Sequence, residues 1–144
     1  WNESSPRSVM MHGYTYSGHP VACAAALATL DLTIKEGFAD NAKTVGEYFL
    51  KKLLPLKDKF EVIGDIRGKG LMIAIELVKD RDTKEAFAPT DSYPMKVSDM
   101  CLENGVMVRT IVNKFIISPP LIFTKQHVDQ VVATIDHALE STPR

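Results

Sequence analysis

The chain has 144 residues, 45% of them hydrophobic and 24% charged. That is the size and composition of one ordinary globular domain, which excludes a disordered, collagen-like or coiled-coil chain. Seventeen basic against eighteen acidic side chains leave a net charge of −1, so no field of one sign is available to grip a nucleic-acid backbone.

Two cysteines, Cys23 and Cys101, are too few for a disulfide scaffold. Both fall in helix-like stretches, as buried thiols of a reducing compartment do. No apolar run approaches the ~20 residues of a membrane-spanning helix, and the polar N-terminus lacks the shape of a signal peptide. A soluble, cytoplasmic protein with no membrane partner is the expectation. Initiator methionine is normally removed only before small residues, so a chain that starts at Trp1 is expected to be a piece of a longer one.

Residues 1–18 are polar, aromatic and glycine-marked, and read as an irregular lead-in. Pro20 suits the first turn of a helix, and the alanine- and leucine-rich stretch that follows runs to Gly37, a good terminator. This helix is apolar nearly all round, so burial is expected for it. A second helix is expected to start near Asp40, with Ala42, Val45, Phe49 and Leu53 on one face, and to stop at Pro55.

Residues 60–66 read as extended and DIRGKG as a turn. A strand follows in which Leu71, Ile73, Ile75 and Leu77 share a face. The charged, proline-bearing stretch 79–94 reads as an exposed loop. A helix is expected over 94–104, with Met95, Val97, Met100, Cys101 and Leu102 as its apolar residues and Gly105 as its end. VMVRTI and KFIIS read as short strands joined at Val112-Asn113, where asparagine tolerates left-handed geometry. After the stiff PPLIF connector, Thr124 is placed to cap a last helix whose stripe is Val128, Val131, Val132, Ile135, Ala138 and Leu139. The order predicts an α+β (α/β) sandwich, a small and mostly antiparallel sheet covered by helices.

Few side chains are arranged for chemistry. His12, His19, His127 and His137 lack metal-site spacing and have no cysteine beside them, and His127 and His137 fall on the solvated side of the last helix. Ser17-Gly18 lacks a nucleophile elbow. RGKG precedes a strand rather than a helix, so it is a poor phosphate loop. Two places remain. HGYTYSGHP gathers hydroxyls and glycines where a helix begins, which suits either an anion or a capping loop with packed aromatics. Arg109 stands in an otherwise apolar strand, where it must face solvent, pair internally or await an anion such as a carboxylate.

Three ordered segments, HGYTYSGHPVACAAALATLDL, DIRGKGLMIAIELVKD, and GVMVR followed by IISPPLIFT, resemble the C-terminal part of class III aminotransferases of the ω-amino acid–pyruvate type. The resemblance implies a fold type I enzyme that uses pyridoxal 5'-phosphate (PLP). It divides the chain into a segment of the large domain (1–19), a linking helix (20–37) and the small C-terminal domain (38–144). It implies that Thr15, with Tyr14 beside it, binds the cofactor phosphate of the partner subunit in a homodimer. It also implies that Arg109, ten residues before Pro119, meets a substrate carboxylate, and in some relatives swings aside for apolar amines. The ornithine-type branch has its arginine three residues before the proline pair, where this chain has Ile116. That departure favours amine donors, ω-amino acids and diamines, with a keto acid such as pyruvate as acceptor. The Schiff-base lysine is expected a few tens of residues before the threonine motif, whereas only fourteen residues precede Thr15 and the first lysine is Lys35. The chain alone is therefore expected to be inactive and to hold no catalytic residue. A racemase, aminomutase or decarboxylase of the same family, or a non-catalytic module with this fold, are the alternatives.

Overall fold

The computed structural model describes residues 13–143. It divides into two units, Trp1–Glu36 and Gly37–Arg144, each described by itself. The start of the lead-in, residues 1–12 with His12, lies outside the described residues.

In the first unit a turn over 15–18 leads into α1, Pro20–Lys35. Pro20 takes a first-turn position, where its missing N–H costs nothing. None of α1 is buried, against the expectation from its composition. A helix apolar on every side has no single face to press on a core. Among the described residues its own unit offers only a turn beside it and so supplies no core for the helix. Cys23 is exposed for the same reason, while Cys101 is buried as expected.

Gly37 adopts a left-handed φ of +64° and opens α2, Phe38–Lys59. Pro55 does not end α2 but lies inside it. The lost hydrogen bond is offset by what the next turn buries, since Leu53 and Leu56 on either side of Pro55 both enter the core.

The sheet contains β1 (Ile63–Lys69), β2 (Met72–Asp80), β3 (Glu85–Ala86), β4 (Arg109–Ile111) and β5 (Lys114–Ile117). The order is β1-β2-β5-β4, antiparallel throughout, with β3 pairing β2. Most of DIRGKG is strand rather than turn. Lys69 pairs Met72, so the turn shrinks to Gly70-Leu71, and Gly70 supplies the positive φ of +56° that a two-residue hairpin demands. Residues 79–94 are less of a loop than expected. Glu85 and Ala86 pair β2, and Phe87 is buried in a stack on Tyr93, ring centroids 5.4 Å apart. At the β4–β5 turn the left-handed residue is Val112 (φ +55°), not Asn113. Asn113 instead buries its amide, donating to the Leu77 carbonyl at 2.8 Å, so a side-chain bond to β2 outweighs its turn preference.

α3 (Tyr93–Glu103) buries Val97 and Cys101 but leaves Met95 and Leu102 exposed. Its core-facing stripe is narrower than its apolar content. Gly105 follows with φ +81°. α4 (Lys125–Ser141) buries Val128, Ile135, Ala138 and Leu139 and half-buries Val131 and Val132, the expected stripe. α2, α3 and α4 close over one side of the sheet, where Leu71, Ile73, Ile75 and Leu77 of the β1–β2 hairpin meet Phe49 and Phe115, both fully buried. Each such aromatic contributes roughly 2–3 kcal/mol by leaving water. The other side of the sheet mixes exposed apolar residues, Met72 and Ile111, with charged ones. There Glu76 bridges Arg67 at 2.8 Å and Lys114 at 3.3 Å. No helix among the described residues is long and apolar enough to cross a membrane.

Candidate functional site

Two places hold the expected site residues, one in each unit. In the first, Tyr14 and Thr15 are exposed at the turn before α1. The Ser17 N–H donates to the Tyr14 carbonyl at 3.1 Å, and the His19 N–H donates to the Tyr16 carbonyl at 3.4 Å. The aromatics are not packed on a core, since Tyr14 is 69% and Tyr16 88% exposed. His19 takes the N-cap position of α1 but its side chain makes no capping bond. Among the described residues the first-turn N–H groups of α1 therefore have no side-chain acceptor, and the Thr15 hydroxyl stands close by in sequence. A helix end in that state favours an anion.

The second place is the end of β4. The β4–β5 ladder runs from Ile111↔Lys114 to Arg109↔Ile116. The ladder does not continue past that pair, and Ser118, Pro119 and Pro120 follow β5. Beside this end of β4 is a cavity of about 760 Å³ whose lining includes Arg109, Ser118, His127 and Gln130 among apolar residues. The connector that walls it is fixed from α2, where Asn41 donates its amide to the Leu121 and Phe123 carbonyls at 2.7 and 3.0 Å. Phe123 stacks on Phe49 with centroids 6.2 Å apart.

Arg109 is exposed. The other two described arginines are engaged. Arg67 pairs with Asp65 and Glu76, and Arg81 donates to the Lys57 and Phe60 carbonyls at the end of α2. The Arg109 side chain has no hydrogen-bond or ion-pair partner among the described residues. Of its three options, the internal pair is not filled among the described residues, which leaves solvent or an anion there.

His127 is exposed, as expected, yet it is engaged. Its Nδ1 accepts from the Thr124 N–H at 3.3 Å, and its own N–H donates to the Thr124 hydroxyl at 3.3 Å. This is a reciprocal capping box with histidine at the third helical position. The ring tilts against Phe123, centroids 5.1 Å apart. Sequence reasoning missed His127 and Gln130 as cavity residues. The Thr124-x-x-His127 spacing was the available signal for His127, and Gln130 gave none. Among the described residues no group of three or more His, Cys, Asp or Glu could hold a metal.

Residues 2–139 match the class-III aminotransferase family. An uncharacterized aminotransferase of Sinorhizobium fredii is 42% identical over 90% of this chain and 28% of its own length. A leucine/methionine racemase of Thermococcus litoralis is 36% identical over 89% of this chain and 28% of its own. Among solved structures, a PLP-bound amine transaminase from an uncultivated Pseudomonas species superposes with a TM-score of 0.88 at 43% identity, over 99% of this chain and 32% of that one. The chain thus spans less than a third of the length of these relatives.

Proposed function

This chain belongs to the class-III aminotransferase family, and on that premise we propose that it forms the phosphate-anchoring and carboxylate-reading part of a PLP-dependent transaminase. The parent moves an amino group from an ω-amino acid, amine or diamine to a keto acid such as pyruvate. It works in the cytoplasm as a homodimer with shared active sites. In the chain's layout, 1–19 belongs to the large domain, 20–37 is a linking helix and 38–144 is the small domain. The Schiff-base lysine belongs to the parent's large domain.

The observation that carries the reading is Arg109, exposed at a cavity and unpaired among the described residues. A guanidinium in that state is free to take a carboxylate through two parallel N–H donors. Ile116 stands where the ornithine-type branch has its arginine, and this favours a donor whose far end need not be a second carboxylate.

The residues before α1 fit the cofactor's phosphate. An exposed threonine hydroxyl precedes a helix start that has no side-chain cap, which is how backbone and hydroxyl donors meet a phosphate. Thr15 would donate its hydroxyl to a phosphate oxygen, with Tyr14 beside it. The cofactor, when bound, supplies the electron sink for proton removal from the amine-bearing carbon. The part played by this chain is to hold: Thr15 keeps the phosphate end fixed, and Arg109 orients a carboxylate of donor or acceptor, so the reacting groups meet without a search.

The racemase relative supports a second reading, in which an amino acid is inverted with no acceptor. Assay of the full-length parent with and without pyruvate separates the two. Product formation that requires the keto acid supports the transaminase, and keto-acid-independent interconversion of enantiomers overturns it. Thr15→Ala in the same protein is expected to weaken PLP retention on dialysis, and unchanged retention contradicts the role given to Thr15.

A further inference from the structure

We propose that the cavity beside β4 takes a monocarboxylate with an apolar chain, and that His127 is a specificity-determining residue that donates to it alongside Arg109. The proposal rests on the reading of Arg109 as a carboxylate partner and adds a second donor and a ligand class to it.

The lining is one-sided in charge. Arg109 is its cation, Ser118, His127 and Gln130 are its other polar side chains, and no aspartate or glutamate is among the lining residues. Among the described residues no side chain pairs with the guanidinium. The rest of the wall is apolar and includes Val106, Ile117, Ile122, Phe123 and Val131. A cavity of about 760 Å³ lies within the range of small-ligand sites, roughly 300–1,000 Å³, where apolar walls hold the body and a few polar groups fix its orientation.

His127 presents a donor because its other nitrogen is committed. Nδ1 accepts the Thr124 N–H and so carries no proton, and in a neutral imidazole the proton then sits on Nε2. The ring is steadied by Phe123 and by the reciprocal bond from its own backbone N–H to the Thr124 hydroxyl. It stands in the first turn of α4, whose positive dipole end also favours an anion. One cation among apolar walls suits one carboxylate on a hydrocarbon chain and leaves a second carboxylate without a partner.

The test titrates the 144-residue chain with hexanoate and, in parallel, hexan-1-ol, followed by amide and imidazole ¹⁵N chemical shifts. Hexanoate is expected to bind saturably at 106–109 and 127–131, at least tenfold tighter than the alcohol. The ring is expected to show an unprotonated Nδ1 and a protonated Nε2. His127→Glu keeps the capping box, since glutamate is a favoured residue at that position, but removes the donor and adds a negative charge. It is expected to cost hexanoate tenfold or more while leaving hexan-1-ol unchanged. His127→Gln keeps both cap and donor and is expected to stay within threefold of the parent chain. Wild-type hexanoate affinity in His127→Glu, the opposite tautomer, or no saturable hexanoate binding overturns the proposal. Arg109→Met separates the layers. If it abolishes hexanoate binding while His127→Glu does not, the His127 role falls and the Arg109 reading stands. If it leaves hexanoate affinity unchanged, the Arg109 reading falls with it.

Discussion

The carbonyl of Gly70 occupies the space that a β-carbon on Gly46 would need. Here α2 lies directly on the β1–β2 turn, backbone against backbone, and the contact exists because position 46 has no side chain. Gly46→Ala is expected to destabilise the fold by about 2 kcal/mol or more, despite the ~1 kcal/mol that alanine gains in helix propensity. Urea unfolding of the variant measures it, and a neutral or stabilising result contradicts the close approach.

Thr124 and His127 hold the first turn of α4. Thr124→Ala is expected to cost about 1 kcal/mol, and Thr124→Ser much less, because serine keeps the accepting oxygen. Thermal unfolding of the two variants side by side checks the difference.

The two thiols should differ sharply. Cys23 is exposed on α1, whereas Cys101 is buried in the core and burial pushes its thiol up to about 11. The thiolate is the reactive species. A thiol reagent at pH 8 is expected to modify Cys23 rapidly and Cys101 only on unfolding, as read by mass spectrometry of the labelled peptides. Rapid labelling of Cys101 in the folded chain contradicts its placement.

Acid should weaken the ion pairs that Glu76 makes on the sheet. Arg67, and after it Lys114, hold the Glu76 carboxyl below the usual glutamate range against the opposing effect of burial. A carboxyl lowered in the folded state adds stability above its unfolded pKa of about 4.3 and loses it as pH falls through the lower folded value. Asp129, lowered mainly by the Tyr48 hydroxyl and also by Lys52, and Asp91, lowered mainly by Lys79, act in the same direction. Stability is therefore expected to fall between pH 5 and pH 3, by pH values set roughly by ordinary carboxyl pKa values. Glu76→Gln is expected to flatten part of that fall, and an identical pH profile contradicts the bridge.

The alternation of Leu71, Ile73, Ile75 and Leu77 and the stripe from Val128 to Leu139 were readable because each presents one apolar face to one core, and periodicity records that directly. Pro55 was misread because a local rule ignores the burial of Leu56 one residue on. β3 was missed because two residues carry no period. α1 was misjudged because composition says that a helix is apolar, not what surface it meets. At the site, residue chemistry alone left Thr15 and Arg109 open between structural and functional roles. The resemblance of whole segments singled them out, and that Arg109 has no partner among the described residues needed coordinates. His127 was legible as a cap from its distance to Thr124, but its place on the cavity depends on residues 105–109 and 116–123 coming together beside the start of α4.

The most direct measurement is single-turnover amino transfer by the full-length parent, from an ω-amino acid and from a plain amine of similar length, with and without Arg109→Ala. Following only the donor half-reaction keeps the acceptor's carboxylate out of the comparison. Loss of a charge-assisted pair is expected to lower the ω-amino acid rate constant over Kd by roughly ten- to a hundredfold, while the amine changes by less than about threefold. Equal losses for both donors would contradict the role of Arg109 as the residue that reads the carboxylate.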